Sequence, residues 1–399
     1  MRRQPIAWHL FDVTVVSQIK RAFQFSRIGR RWMGLPVRAL NLKDGRLTGS
    51  AFFTDRDPET LSPEQVRLGP TQPEDLVQPP FEITKMKTEG KTPGFFVTDH
   101  RGAKYLFKLD PVDAPELLSG AEVVTSKLLY ALGYHVPSYE IVLVRPEDLH
   151  PREGLTAYAT HLGPAHPVGE PELRAMMEGR VRDGTARVCA TKILDGEILG
   201  PAKFKKFRDC AEMRALKLAY AWVNNVDSKD HNSLLVWDGR QTIGYLIDFG
   251  TSLGADAGLG GPKTPCEGWL NAVDLKELSL KLVTFGWHHP SCDVPERAVS
   301  PGIGWFAADV DPDGWEPYAP NLAFQEMSEE DAEWISRRMA QLSAAQLEAA
   351  VAAGRYSDPA DAAYLVNVLT KRRETILRHY LEDDYEEQER RQQREVSTP

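Results

Sequence analysis

Trp222-Val-Asn-Asn-Val-Asp227-Ser-Lys229-Asp-His-Asn232-Ser-Leu-Leu-Val-Trp237, then a turn, then Thr242-Ile-Gly-Tyr-Leu-Ile-Asp248-Phe-Gly250: the reading of the whole chain turns on this stretch. Asp227, Lys229 and Asn232 stand in a D-x-K-x-x-N spacing, and Asp248 opens an Asp-Phe-Gly sixteen residues after Asn232. Ser233–Trp237 and Thr242–Ile247 read as short apolar strands with the polar residues at their ends. Asp238-Gly239 between them is a hairpin turn signal.

These residue types in this order fit phosphoryl transfer. Such a site needs an acid that receives a hydroxyl proton, a cation facing the moving phosphate, and oxygen ligands for a divalent metal. Magnesium takes few protein ligands and prefers carboxylate and amide oxygens. Asp227 is the candidate base, Lys229 the phosphate-facing cation, and Asn232 with Asp248 the candidate metal ligands. Asp and Asn are also ordinary turn residues, so neither half of the pattern decides alone.

The order Asp227, Lys229, Asn232, strand, hairpin, Asp248-Phe-Gly resembles the catalytic and metal loops of the protein-kinase-like superfamily. Asn225-Val226 replaces the His-Arg that usually precedes the catalytic Asp. Asn225, two before the Asp, and His231, just before Asn232, make the pattern similar to the HipA-type bacterial kinases. The resemblance implies an α+β, bilobal kinase-like fold: a small β-rich N-lobe, a larger helical C-lobe, and ATP with Mg²⁺ as cofactors. The lost Arg argues against control by a phosphorylated activation loop.

Working outward, Phe81–Met86, Phe95–Thr98 and Lys104–Leu109 read as strands, with Gly90 and Gly94 in the first connection. Glycines there let backbone N–H groups approach phosphates. Lys108 stands where the family's phosphate-reaching Lys belongs, and Glu122 on the following helix is its implied partner, with Glu116 the rival. The helix is expected to open at Ser119 and stop at Gly133. Tyr139–Val144 and Arg187–Ile193 read as strands, and Glu172–Met177 as a helix. Phe207–Asn224 reads as a helix with Asp209 as a cap, and Trp269–Val283 as another. Helices starting at Ser328, Ser343 and Asp358 close the chain. The expected organisation is a basic N-terminal extension and Pro-rich connection over 1–80, a nucleotide lobe over 81–195, a helical lobe over 196–381, and a charged tail over 382–399.

Composition bounds the rest. The 399 residues are 42% hydrophobic, enough for a substantial core. A net charge of −9 and a pI of 5.7 speak against a general nucleic-acid binder. No apolar run is long enough for a transmembrane helix, and no signal peptide is expected, so the expected location is cytoplasmic. Cys189, Cys210, Cys266 and Cys292 are expected as free thiols. Residues 1–50 carry eight Arg and two Lys against Asp12 and Asp44. A helix near Thr14, with Val15, Ile19, Ala22 and Phe23 on one face, is expected to pack on the body and leave its basic face in water. Peripheral membrane contact is the alternative.

The favoured activity is ATP- and Mg²⁺-dependent transfer of phosphate to a hydroxyl. The acceptor class (protein, lipid headgroup or small molecule) stays open. A nucleotide-binding pseudokinase scaffold and nucleotidyl transfer (AMPylation) on the same fold are the rivals.

Overall fold

A computed structural model describes residues 11, 15–35, 37–88, 92–158, 165–258, 260–289, 292 and 300–382. Gly90, residues 1–10 and the tail from 383 lie outside them. The architecture is mixed α+β, with a sheet-rich region and a set of helices.

The helices are α1 (Ser17–Ala22), α2 (Phe25–Trp32), α3 (Pro63–Leu68), α4 (Leu117–Leu132), α5 (Glu170–Met177), α6 (Ala211–Val223), α7 (Leu275–Val283), α8 (Glu329–Ala340), α9 (Ala344–Ala352) and α10 (Pro359–Tyr380). The strands that matter for the site are β1 (Phe81–Met86), β2 (Gly94–Asp99), β3 (Lys104–Leu109), β4 (Tyr139–Val144), β5 (Leu149–Pro151), β6 (Val181–Arg182), β7 (Thr185–Lys192), β8 (Glu197–Gly200), β9 (Ser233–Trp237) and β10 (Thr242–Leu246).

One seven-stranded sheet runs in the order β6-β7-β3-β2-β1-β5, with β4 also paired to β7. Its β1, β2, β3 meander is antiparallel because the connections are short hairpins. A separate three-stranded sheet, β8-β9-β10, carries the stretch quoted above. Phe81, Phe95, Phe107 and Val188 pack a small core on one face of the large sheet. The main core lies on α4, α6 and the C-terminal helices, and Tyr139 and Ile141 of β4 join it from the sheet. Leu42, Phe52, Phe53 and Val66 also sit in that main core, so the segment before the sheet is built into the body.

Local chemistry sets the helix ends. Ser62, Ser328 and Ser343 each form a reciprocal capping box with the residue three positions on. Asp358 caps α10 through Ala360 N–H. Trp222 of α6 is fully buried and donates from Nε1 to Leu369 O. The Arg372 guanidinium donates to Ala221 O and Trp222 O, covering the carbonyls left open at the end of α6. Burial pulls the Arg372 pKa down to about 9.

Several expectations are corrected. Asp209 does not cap α6: its carboxylate lies between Arg27 and Arg214, and Asn41 Oδ1 accepts the Ala211 N–H instead. Helix α4 begins at Leu117 rather than Ser119. Helix α7 begins only at Leu275, because Glu267–Asn271 is pinned to Glu316 by a bridge at Gly268 and by Asn271 Nδ2. Cys266 and Cys292 form a disulfide, whereas Cys189 and Cys210 are free. A structural disulfide belongs to oxidising surroundings, contrary to the free-thiol expectation. The N-terminal segment forms two short helices, and the expected apolar stripe is not packed inward throughout. Arg27 pairs with Asp209 at 2.9 Å and with Glu326 at 3.0 Å, while Ile19 and Phe23 face water.

Among the described residues no helix is long and apolar enough to cross a membrane.

Candidate active site

Lys108 reaches the site from β3. Its Nζ donates to Glu122 Oε1 of α4 and, at 2.9 Å, to Asp248 Oδ1. Three elements distant in sequence therefore meet on one ammonium. The Glu122 side chain is only 3% exposed, whereas that of Asp248 is 46% exposed. Glu116, the rival partner, instead accepts from Ser357 N–H.

Asp110, two residues after Lys108, fixes this geometry. Its carboxylate accepts the N–H groups of Glu116, Leu118 and Ser119 and the Ser119 hydroxyl. The end of β3 thereby caps the start of α4, which sets Glu122 against Lys108. Sequence reading missed this role; the available signal was an Asp two positions past the strand Lys, shortly before a helix.

Gly94 is paired across the ladder with Lys108. A Cβ at Gly94 would press on Phe107 O closer than 3.0 Å and stand 3.3 Å from Lys108 Cα. In this structure the glycine serves close strand approach beneath the lysine.

The catalytic-loop candidates follow α6. Asn224 ends that helix in the left-handed region (φ 50°), where Asn is tolerated. Its side chain donates to Glu267 O at 3.1 Å and accepts from Trp315 Nε1 at 2.9 Å. Gly268, at φ 101°, lets the chain pass against Asn224 Oδ1. Asn225 Oδ1 accepts from Thr251 Oγ1 at 2.8 Å. Tyr318 N–H donates to Val226 O, and Asn321 Nδ2 to Ser228 O. The loop backbone is thus held from both sides before it reaches Asp227.

Lys229 Nζ lies 2.5 Å from Asp227 Oδ2. Asn232 Nδ2 donates to Asp227 O at 2.7 Å, which turns its Oδ1 away from that bond. Ile247 N–H donates to Asn232 O at 3.0 Å, so the open end of the β9–β10 hairpin holds Asn232 beside the strand that ends at Asp248. Asp248 adopts φ 63°, outside the usual region for a side-chain-bearing residue. Its N–H donates to Tyr139 Oη at 3.1 Å. Gly250 packs within 3.3 Å of Glu122 Oε1, measured from an added Cβ.

The electrostatics follow from this arrangement. Burial lowers the Lys108 pKa, but Asp248 and Glu122 outweigh it and hold the ammonium charged. Burial opposes ionisation of Asp248, yet Lys108 and Lys229 keep its carboxyl well below the usual range. Glu122 is pushed up by burial, and among the described residues its Oε2 has no hydrogen-bond partner. Lys229 is disfavoured by burial and restored by Asp227 and Asp248. The site therefore presents an ionised, partly exposed carboxylate beside two cations.

Among the described residues no group of three or more His, Cys, Asp or Glu side chains could hold a metal. A divalent ion here would take Asn232 and Asp248 as protein oxygens and complete its shell elsewhere. That donor set suits an ion shared with phosphate oxygens. His288 Nε2 is engaged with Glu277 at 2.6 Å, and Cys292 is in the disulfide.

No family model and no curated protein matches this chain. Two solved structures with some likeness are the Golgi casein kinase and the Golgi casein kinase with Mn/ADP bound. Each shares 10% identity over 75% of this chain, covering 73% and 74% of the other chain, with TM-scores of 0.27 and 0.28. Scores of this size carry no argument. The likeness to HipA-type kinases rests on the loop residues alone.

Proposed function

We propose that this chain is an ATP-dependent phosphotransferase that moves the γ-phosphoryl group to a hydroxyl acceptor with a divalent ion, Mg²⁺ or Mn²⁺. The observation that carries this reading is the Lys108 ammonium bridged between Glu122 and Asp248, with Asp227, Lys229 and Asn232 on the adjoining loop. Asn232 and Asp248 would hold the ion, which neutralises phosphate charge when bound.

Lys108, oriented by Glu122, binds the nucleotide phosphates. Lys229 leaves Asp227 for the transferring phosphoryl group and balances its charge. Asp227 then accepts the acceptor hydroxyl proton. Positioning and charge balance supply the rate, since the transferring group needs little covalent help.

The test is product analysis with labelled ATP, a divalent salt and a mixture of hydroxyl-bearing protein acceptors. ADP with a phosphorylated acceptor is expected, reduced roughly 10²–10⁴-fold in Asp227→Asn with nucleotide binding retained. Turnover unchanged in Asp227→Asn would refute the assignment of the base. AMP on the acceptor, without ADP, would establish nucleotidyl transfer instead.

A further inference from the structure

Fifteen of the 23 exposed large apolar side chains among the described residues fall in 11–40 and 278–287. Such concentration marks an interaction surface, because scattered exposed apolar residues are ordinary and contiguous ones are not. Trp32, Phe285 and Trp287 are 89%, 93% and 87% exposed. The two segments adjoin: Gln18 Nε2 of α1 donates to Asn271 Oδ1 and to Val273 O, just before α7, both at 2.9 Å.

The charges around them are sorted. Arg27 and Arg31 turn inward to Asp209 and Glu326, which anchors α2 with its aromatic side outward. Arg30, Arg38 and Lys281 stay exposed beside the apolar side chains. Residues 1–50 carry +8 (eight Arg and two Lys against two Asp) in a chain of −9, which leaves −17 on residues 51–399. With Arg27 and Arg31 taken up by body carboxylates, Arg30, Arg38 and Lys281 are exposed cations that this face offers an anionic surface, in a chain that is otherwise acidic.

We propose that α1, α2 and α7 form a single surface that binds the interface of an anionic lipid bilayer. Phe and Trp rings enter the headgroup–acyl boundary while the Arg and Lys side chains meet lipid phosphates. Charge complementarity selects this occupant over a second copy of the chain. A two-fold contact would set the cationic segment against itself.

The test uses the full chain and vesicles of phosphatidylcholine, alone or with an equal part of phosphatidylglycerol. Co-sedimentation with the anionic vesicles only is expected, weakening as salt is added. Trp32→Ser, and Phe285→Ser with Trp287→Ser, should each lower partition about tenfold. Unchanged unfolding midpoints would show that these exposed positions do not support the fold. Brominated lipid should quench wild-type tryptophan fluorescence, a readout independent of any variant. No sedimentation of the wild type with anionic vesicles would overturn the proposal, as would partition indifferent to both variants. A concentration-dependent dimer dispersed by Trp32→Ser would overturn it in favour of a second copy.

Discussion

Replacing Gly94 by Ala tests how the sheet positions Lys108. The added Cβ would meet Phe107 O closer than 3.0 Å and Lys108 Cα at 3.3 Å. Both neighbours are backbone of β3, so no side-chain rotation relieves the contact. The strand must retreat by roughly 1 Å, and overpacking of this kind costs about 1–3 kcal/mol. The same shift carries Lys108 Nζ off its 2.9 Å contact with Asp248. A misplacement of about 1 Å in a positioned group costs roughly a hundredfold in rate. Urea unfolding and nucleotide turnover measure the two effects on one preparation. Gly29→Ala is the control: among the described residues nothing lies within 4 Å of its added Cβ, and a helical Gly→Ala change should gain up to about 1 kcal/mol. If Gly94→Ala keeps wild-type stability and turnover, strand spacing does not set the lysine.

Asp110→Asn should cost roughly 2–3 kcal/mol in urea unfolding, because an amide cannot accept all four donors that the carboxylate takes. Stability within error of wild type would contradict its capping role. Lys127 is buried, donates to Leu68 O and Tyr139 O, and is pulled by burial down to about 8 from 10.5. Between those values the unfolded chain holds a proton that the folded chain has released, so folding gains stability as pH rises through that window. Relative to Lys127→Met, the wild type should gain about 3 kcal/mol from pH 8 to 10.5 and nothing below it; parallel pH profiles would refute this. The Cys266–Cys292 bridge spans 26 residues. Its reduction should therefore lower stability by about 3 kcal/mol in the wild type but not in Cys266→Ser, and a wild type indifferent to reductant would contradict the bridge.

What was legible in the sequence was local. Phe81–Met86, Lys104–Leu109 and Tyr139–Val144 appear with the boundaries that β-branched and aromatic runs indicated. The helix starts at Ser328 and Ser343 followed from local sequence alone. The Lys108–Glu122–Asp248 meeting was reachable only through a family resemblance, since 140 residues separate Lys108 from Asp248. Non-local chemistry stayed hidden. Asp110 as a cap, Tyr139 Oη beneath Asp248 and Asn41 at the start of α6 depend on groups brought together by packing. The N-terminal helices misled for a related reason. Ile19 and Phe23 stay exposed, and α2 is held through Arg27 by Asp209 and Glu326, which lie far along the chain.

Thermal unfolding with ATP or ADP, each with and without Mg²⁺ or Mn²⁺, on wild type and Asp248→Asn, reads out the nucleotide–metal site at its candidate metal ligand. The predicted result is a metal-dependent stabilisation of the wild type, about 2.7 kcal/mol at 100 times the dissociation constant, that is lost in Asp248→Asn. No shift of the wild type at saturating nucleotide, or an equal shift in the variant, would contradict a nucleotide–metal site built on Lys108, Asn232 and Asp248.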